Sequence, residues 1–306
     1  MLKLQRVKEN PILVPSQESW ENFLVFNPAA FHFEGKITLL YRAMGKNDKM
    51  SRLGLATSDD GIHFIRHAHP VYYGSGHPHE LLGVEDPRVV FIDDTYYIVY
   101  AAVSEDLESE VDPNWKEQIA KKTHIAVSTT KNFQDFFDYD VMIKNLPGKN
   151  ASLFPKKVND EYWFLFRSGV GATYFANSPH LTYWPERHLV FDKRPGFWDS
   201  SRVGIGSQPI ETEKGWLIFY HGVDEKNTYR IGIIFLDYED PRTVIYRSPF
   251  PVLEPSADYE KTGFIPNVVF TCGAIEKDDH YFVYYGSCDE VACLATIEKK
   301  AVLGLF

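Results

Sequence analysis

The sequence predicts an all-β fold, a five-bladed β-propeller with four-stranded blades around a central channel, and three observations predict it. First, a turn residue followed by a run of β-formers ending in an aromatic and one or two small or polar residues recurs five times. The copies are GKITLLYRA (Gly35 to Ala43), DTYYIVYAA (Asp94 to Ala102), DEYWFLFRS (Asp160 to Ser168), KGWLIFYHG (Lys214 to Gly222) and DHYFVYYGS (Asp279 to Ser287). Second, the copies begin at 35, 94, 160, 214 and 279, a spacing in the range of propeller blades and solenoid turns rather than of one irregular sheet. Third, each copy has similar flanks: upstream a segment that opens polar and continues apolar, downstream another strand, often followed by a turn.

Taken in order, the first module enters with FNPAAFHF, returns with GKITLLYRA and continues with SRLGLATSDDG, leaving HFIRHAHPVYYG free to supply a fourth strand. The second runs VEDPRVVFI, DTYYIVYAA, THIAVSTTKNF, and the third KNASLFPKKV, DEYWFLFRS, ATYFANSPH. The fourth runs GSQPIETE, KGWLIFYHG, YRIGIIFLDYEDP, and the fifth PNVVFTCGAI, DHYFVYYGS, VACLATI. Radial repetition of such blades leaves only short, protected sheet edges. A closed ring has no internal cut that leaves it whole, so residues 1–306 read as a single domain. One stretch breaks the rhythm, Ser104 to Thr123, acidic first and basic last, with Trp115 and Ile119 four apart. That charge order fits an inserted short helix, either a solvated excursion or a lid or subunit contact.

Bulk composition excludes several functions. Aromatic content of 15% suits the wide packing between blades. A net charge of −10 argues against a nucleic-acid backbone or an anionic membrane as partner, since either demands a net basic face. Cys272, Cys288 and Cys293 show no CxxC spacing and are odd in number, suggesting neither a zinc site nor a disulfide framework. Five histidines crowd residues 62–79, yet no carboxylate spacing completes a ligand set, so no metal is expected. The first residues, MLKLQRVKEN, lack an apolar run of signal-peptide length, which makes the cytoplasm the expected location.

In a propeller the inner strands run along the channel, so polar residues at their entrances converge on one end of the axis. Here those positions carry Asn27, Glu85 and Asp86, Lys149 and Asn150, Gln208, and Asn267, while the second strands end in Arg42, Arg167 and His221. The sharpest local element is Gly83-Val84-Glu85-Asp86-Pro87-Arg88. Proline after Asp86 is expected to hold the aspartate extended. Apolar Val84 and Val89 beside it would let the carboxyl keep a proton and act as a general acid. Asp-Pro is also an ordinary turn opener, so the weight falls on the cations: Lys149, Arg167 and Arg202, with His221 and Tyr229. Permanent positive charges aimed at one channel repel each other unless an anion sits between them, and arginine forks with a lysine suit phosphate oxygens. Pairing of each arginine with a surface acid is the alternative.

These segments, in this order from about Asn10 to Ile297, resemble glycoside hydrolase family 130, the mannoside phosphorylases, whose fold is a five-bladed β-propeller. The resemblance implies inverting phosphorolysis of a β-mannoside, β-1,2- or β-1,4-linked, to α-mannose 1-phosphate, with inorganic phosphate as co-substrate and no cofactor. It casts Asp86 as the proton donor, acting through the sugar's own 3-hydroxyl, and Lys149, Asn150, Arg167, Arg202, His221 and Tyr229 as the phosphate side. Asn27, Arg42 and Asp289 match sugar-binding positions, with Glu85, Arg88 and Asp199 from the same motifs counted beside them. Asn150 stands where many relatives have Asp, and GIGSQP replaces a commoner Gly-Pro-Pro ending, departures that bear on acceptor and linkage. A β-mannoside hydrolase of the same family and a non-catalytic sugar-binding propeller, using Trp20, Trp184 and Trp198 as platforms, are the alternatives. Assembly into a homo-oligomer stays open.

Overall fold

The computed structural model describes residues 2–104, 123–143, 148–169 and 171–306. The helix expected within Ser104 to Thr123 falls on residues 105–122, outside the described residues. Strands dominate and pair into two four-stranded sheets, one five-stranded sheet and one eight-stranded sheet in which the parallel bridge of Ser51 with Gly83 joins two four-stranded units, which makes five blades. Blade 1 holds β2 (Leu24–Phe33), β3 (Lys36–Met44), β4 (Ser51–Ser58) and β5 (Ile65–Arg66). Blade 2 holds β6 (Gly83–Ile92), β7 (Thr95–Val103), β8 (Thr123–Thr130) and β9 (Phe136–Val141). Blade 3 holds β10 (Gly148–Leu153), β11 (Tyr162–Ser168), β12 (Thr173–Ser178) and β13 (His188–Phe191).

In blade 4 the inner strand is split into β14 (Arg202–Ile205) and β15 (Ile210–Thr212), both paired to β16 (Gly215–Val223), followed by β17 (Tyr229–Leu236) and β18 (Val244–Arg247). Blade 5 comprises β19 (Val269–Lys277), β20 (His280–Ser287) and β21 (Val291–Glu298), and its fourth strand is the N-terminal β1 (Gln5–Arg6) paired to β21. The chain's beginning therefore closes the ring onto its end. Arg6 reinforces the join by donating through Nε and Nη2 to Glu260, at 2.7 and 2.8 Å.

The core divides into five interfaces between neighbouring blades. Side chains alternate along a strand, so Leu217 and Phe219 of β16 face blade 5 while Trp216, Ile218 and Tyr220 face blade 3. Likewise Tyr281, Val283 and Tyr285 face blade 4 while Tyr284 faces blade 1, and Phe164 and Phe166 face blade 2 while Leu165 faces blade 4. The last interface joins Ile98, Tyr100 and Ala102 of blade 2 to Leu40 and Leu55 of blade 1. Burial on both faces is why the repeated runs read as continuous apolar stretches rather than alternating ones.

One device recurs at the inner strands and sets up the site. In blades 1, 2 and 3 the register slips by one residue, between Phe26 and Ala29, Glu85 and Arg88, and Lys149 and Ser152. The bulges contain Asn27, Asp86 and Asn150, with φ of 49, 51 and 51°. Asn and Asp tolerate the left-handed region better than other side-chain-bearing residues, and a bulge re-aims a side chain out of the sheet's alternation. The sequence expectation that Pro87 holds Asp86 extended is thus corrected: the bulge forces a positive φ. Arg88 caps the distorted turn, donating through Nη1 to the Asp86 carbonyl at 2.8 Å.

Candidate active site

The bulged side chains meet at one end of the axis in a cavity of about 640 Å³. Its walls differ. On the side of blades 1 and 2, Asp86 Oδ1 accepts from Asn27 Nδ2 at 2.8 Å and from Arg42 Nη1 at 3.2 Å. Arg42 Nη2 donates to Glu85 Oε1 at 2.5 Å, and Lys149 Nζ lies 3.3 Å from Glu85 Oε2. Asp86 Oδ2 has no hydrogen-bond partner among the described residues, leaving one carboxylate oxygen for a ligand hydroxyl. Asp289, with φ of 52°, completes this wall.

The carboxyls here titrate differently for stated reasons. Burial alone would raise the Asp86 pKa, but Arg42, Lys149, the Asn27 amide and Arg88 outweigh it and hold the group below the usual carboxylate range. Asp86 is therefore ionised at neutral pH, and Val84 and Val89 do not keep it protonated as the sequence suggested. Asp289 goes the other way. Burial pushes it up to about 6, Arg42 opposes the rise, and Asp86 and Glu85 add like-charge repulsion.

On the side of blades 3 and 4 stand Arg167 and Arg202. Lys149 and Arg167 lie directly opposite each other in the pairing of β10 with β11. Among the described residues the Arg167 guanidinium has no hydrogen-bond or ion-pair partner. Burial lowers its pKa to about 10, with Tyr229 pulling the other way and repulsion from Arg202 and Arg88 adding to the fall, and the group is still a cation at neutral pH. Arg202 Nη2 donates to Tyr229 Oη at 2.9 Å and to Asn227 Oδ1 at 3.3 Å, and its guanidinium lies over the Tyr229 ring at 5.2 Å. No carboxylate pairs with either arginine among the described residues. This wall is built to receive an anion.

Of the residues singled out in the sequence, Asn27, Arg42, Asp86, Lys149, Asn150, Arg167, Arg202, Tyr229 and Asp289 line this one cavity. Six do not: Gln208, whose amide donates to Ala274 O at 2.7 Å, Asn267, and four of those given a site role, three of which are sealed off. Arg88, expected to touch sugar, is 1% exposed. It spends its nitrogens on the carbonyls of Asp86, Gly206 (3.0 Å) and Ile205 (3.3 Å), tying blade 2 to blade 4 beneath the pocket. Asp199 is fully buried and accepts from Arg194, Tyr220 and Arg247, so no oxygen reaches substrate. His221 is fully buried, and burial, then Arg167, Arg88 and Arg202, drives its pKa well below the ordinary value. A neutral ring adds no charge to a phosphate site. It sits 3.2 Å from Asn150 Nδ2 through Nε2 and so orients that amide. Glu85 stands behind Arg42 and Lys149 rather than in the cavity wall.

The aromatic platforms suggested for a binding protein are also accounted for. Trp20 and Trp184 are core residues whose indole nitrogens donate to Ala68 O and Leu181 O, and Trp198 packs against Tyr220. Lys193 and Ile265 line the cavity and escaped the sequence reading. Both sit in irregular loops between blades, where no repeat pointed to them. No group of three or more metal-ligating residues occurs among the described residues.

A family model described as beta-1,4-mannooligosaccharide phosphorylase, Glyco_hydro_130, matches residues 3–306. A 1,2-beta-oligomannan phosphorylase from Thermoanaerobacter sp. (strain X514) is 40% identical over 309 residues, covering 99% of each chain. Among solved structures, a beta-1,2-mannobiose phosphorylase from Listeria innocua in complex with beta-1,2-mannobiose is 30% identical. It aligns with a TM-score of 0.84 over 98% of both chains. Another, 27% identical with a TM-score of 0.85 over 98% of this chain and 94% of its own, is described as showing that the GH130 family of mannoside phosphorylases contains glycoside hydrolases that target beta-1,2 mannosidic linkages in Candida mannan.

Proposed function

The chain belongs to glycoside hydrolase family 130, the mannoside phosphorylases, and from that premise we propose that it catalyses the inverting phosphorolysis of a β-mannoside to α-mannose 1-phosphate and a shortened sugar. The observation that carries this reading is the split pocket: among the described residues, Asp86 keeps one carboxylate oxygen unengaged, and Arg167 and Arg202 on the other wall have no carboxylate partner. Phosphate held by Arg167, Arg202 and Tyr229 attacks the anomeric carbon as the glycosidic bond breaks. The leaving oxygen takes a proton from the mannosyl 3-hydroxyl, which takes one from Asp86. Fixed cations hold the anion in line and stabilise charge in a partly dehydrated site.

Asp86 must carry a proton to do this, though the surrounding cations favour its ionised form. A bound oxyanion offsets the nearby cations, and a sugar ring displaces water from the carboxyl. Both move the Asp86 pKa upward when the complex forms. Lys149, paired with Glu85, then tunes the acid more than it grips phosphate.

A hydrolase would need a second carboxylate on the face opposite Asp86 to activate water. Asp289 is the other carboxyl in the cavity wall, but it lies on the Arg42 side with Asp86, and the opposite face is cationic. For linkage, the Thermoanaerobacter relative and the Listeria complex both support β-1,2 over β-1,4. The three cysteines, free and buried, fit the reducing compartment expected from the sequence.

The test is product analysis of the purified protein with β-1,2- and β-1,4-mannobiose, with and without inorganic phosphate. The expected result is one α-mannose 1-phosphate, seen by phosphorus NMR, for each bond cleaved, and no cleavage without phosphate. Free mannose released in phosphate-free buffer would instead establish hydrolysis.

A further inference from the structure

The segment 262–267, between the short helix α1 (Asp258–Lys261) and the inner strand of blade 5, is exposed throughout yet presents two large apolar side chains. Phe264 is 52% exposed and Ile265 41%. The segment is tied down along its length. Phe264 N–H donates to Glu290 Oε2 at 3.0 Å, Ile265 N–H to Cys288 O at 2.8 Å, and Tyr229 N–H to Asn267 O at 3.0 Å. Gly263 is pressed so close that a Cβ there would lie 2.6 Å from Cys288 Cβ and 2.7 Å from Glu290 Oε2. Upstream, Glu260 accepts from Ser256 N and Ala257 N as well as Arg6, which fixes the base of the loop.

Folding gains nothing by holding these side chains in water on a pinned backbone; polar residues would serve the loop at least as well. Their position indicates what they face. Ile265 lines the cavity that contains Asp86 and Arg167. The Phe264 ring meets Phe23, just before the inner strand of blade 1, edge-on at 5.5 Å and 80°. Inverting displacement puts phosphate and leaving group on opposite faces of the mannosyl ring. The arginines without a carboxylate partner among the described residues come from blades 3 and 4, so the leaving sugar departs toward blades 1 and 5, where this rim stands. The C–H face of a pyranose is apolar and weakly positive, and matches the negative face of an aromatic ring.

We propose that Phe264 and Ile265, buttressed by Phe23, form the subsite for the leaving sugar, and so for the acceptor sugar in the reverse direction; the proposal rests on the phosphorolysis reading. The experiment runs the reaction in reverse, with α-mannose 1-phosphate and either mannose or β-1,2-mannobiose, on the wild type and on Phe264→Ala, Phe264→Tyr and Ile265→Ser. Loss of a ring contact of this kind should raise the acceptor KM about tenfold. The KM for α-mannose 1-phosphate should stay within about twofold, and Phe264→Tyr should behave as wild type. An unchanged acceptor KM in Phe264→Ala overturns the proposal, as does an equal rise in both KM values. A wild type that makes no oligosaccharide from α-mannose 1-phosphate refutes the phosphorolysis reading itself, and the subsite falls with it. A light-scattering mass that halves in Phe264→Ala with an unchanged acceptor KM overturns it in favour of a contact between copies of the chain.

Discussion

On the wall lined from blades 1 and 2, Arg42 is shared between Glu85 and Asp86, and Lys149 reaches over from blade 3 to answer Glu85, whereas on the wall formed by blades 3 and 4 Arg167 and Arg202 pair with no acid among the described residues. Both walls carry arginines in one cavity, yet they do different things with charge. A cation already matched by a carboxylate tunes that carboxylate. A cation left unmatched waits for an anion from outside, and the fold bears its desolvation until the anion arrives. Asp199 shows what an arginine cluster looks like when it serves structure alone: Arg194 and Arg247 close on it completely in the core of blade 4.

The contrast can be broken most forcefully at the acid. Asp86→Asn preserves shape and the contact with Asn27 while removing the transferable proton, so kcat for phosphorolysis should drop by about 10³-fold with mannobiose binding within a few-fold of wild type. Turnover that survives would remove Asp86 from the chemistry. Next in size is a pair of matched substitutions. Arg42→Met strands Glu85 and Asp86 without their cation and should cost about 3–5 kcal/mol of stability by urea denaturation. Arg167→Met removes a repelled, partnerless cation, so the apoprotein should melt a few degrees higher. The same variant should need about ten- to a hundredfold more phosphate and lose the rise in Tm that phosphate gives the wild type. If both substitutions destabilise alike, the two walls do not differ in how their cations are matched.

A subtler difference appears in pH profiles. In the free enzyme Asp86 is held low by Arg42, Lys149, Asn27 and Arg88, while bound phosphate and sugar raise it. The basic limb of kcat, which reports the complex, should therefore lie at higher pH than that of kcat/KM, which reports the free enzyme. Superimposed limbs would mean that binding leaves the acid's environment unchanged.

Much of this was readable in the sequence, and the reasons for the rest are physical. The blades were legible because each repeats a local pattern, and so were the residues at strand entrances, since the repeat places them at one end of the axis. Burial was not. Arg88 is consumed by Ile205 and Gly206, more than a hundred positions away, and Asp199 by Arg247, forty-eight positions away, so their sealing depends on long-range contacts that no local window contains. The left-handed turn at Asp86 escaped for a related reason: a bulge is a property of a strand pair, and Pro87 alone suggested extension. Lys193 and Ile265 reach the pocket from loops outside the repeat.

Asp289 provides the smallest and most specific test of how the acid wall is balanced. Burial and the like charges of Asp86 and Glu85 push it up to about 6, against the pull of Arg42. A carboxyl raised above its unfolded value, about 4, makes the folded chain bind more protons than the unfolded chain between those two pH values. Stability from this group therefore falls as pH rises through that window and levels off above it. Asparagine tolerates the positive φ of 52° at this position and carries no charge. Asp289→Asn should thus match the wild type near about pH 4 and be more stable by roughly 1–3 kcal/mol at about pH 7.5. Thermal melts across that range decide it. A constant offset at every pH would mean that packing or a hydrogen bond, rather than crowding by Asp86 and Glu85, governs the site, and the acid wall would then be less strained than its charges imply.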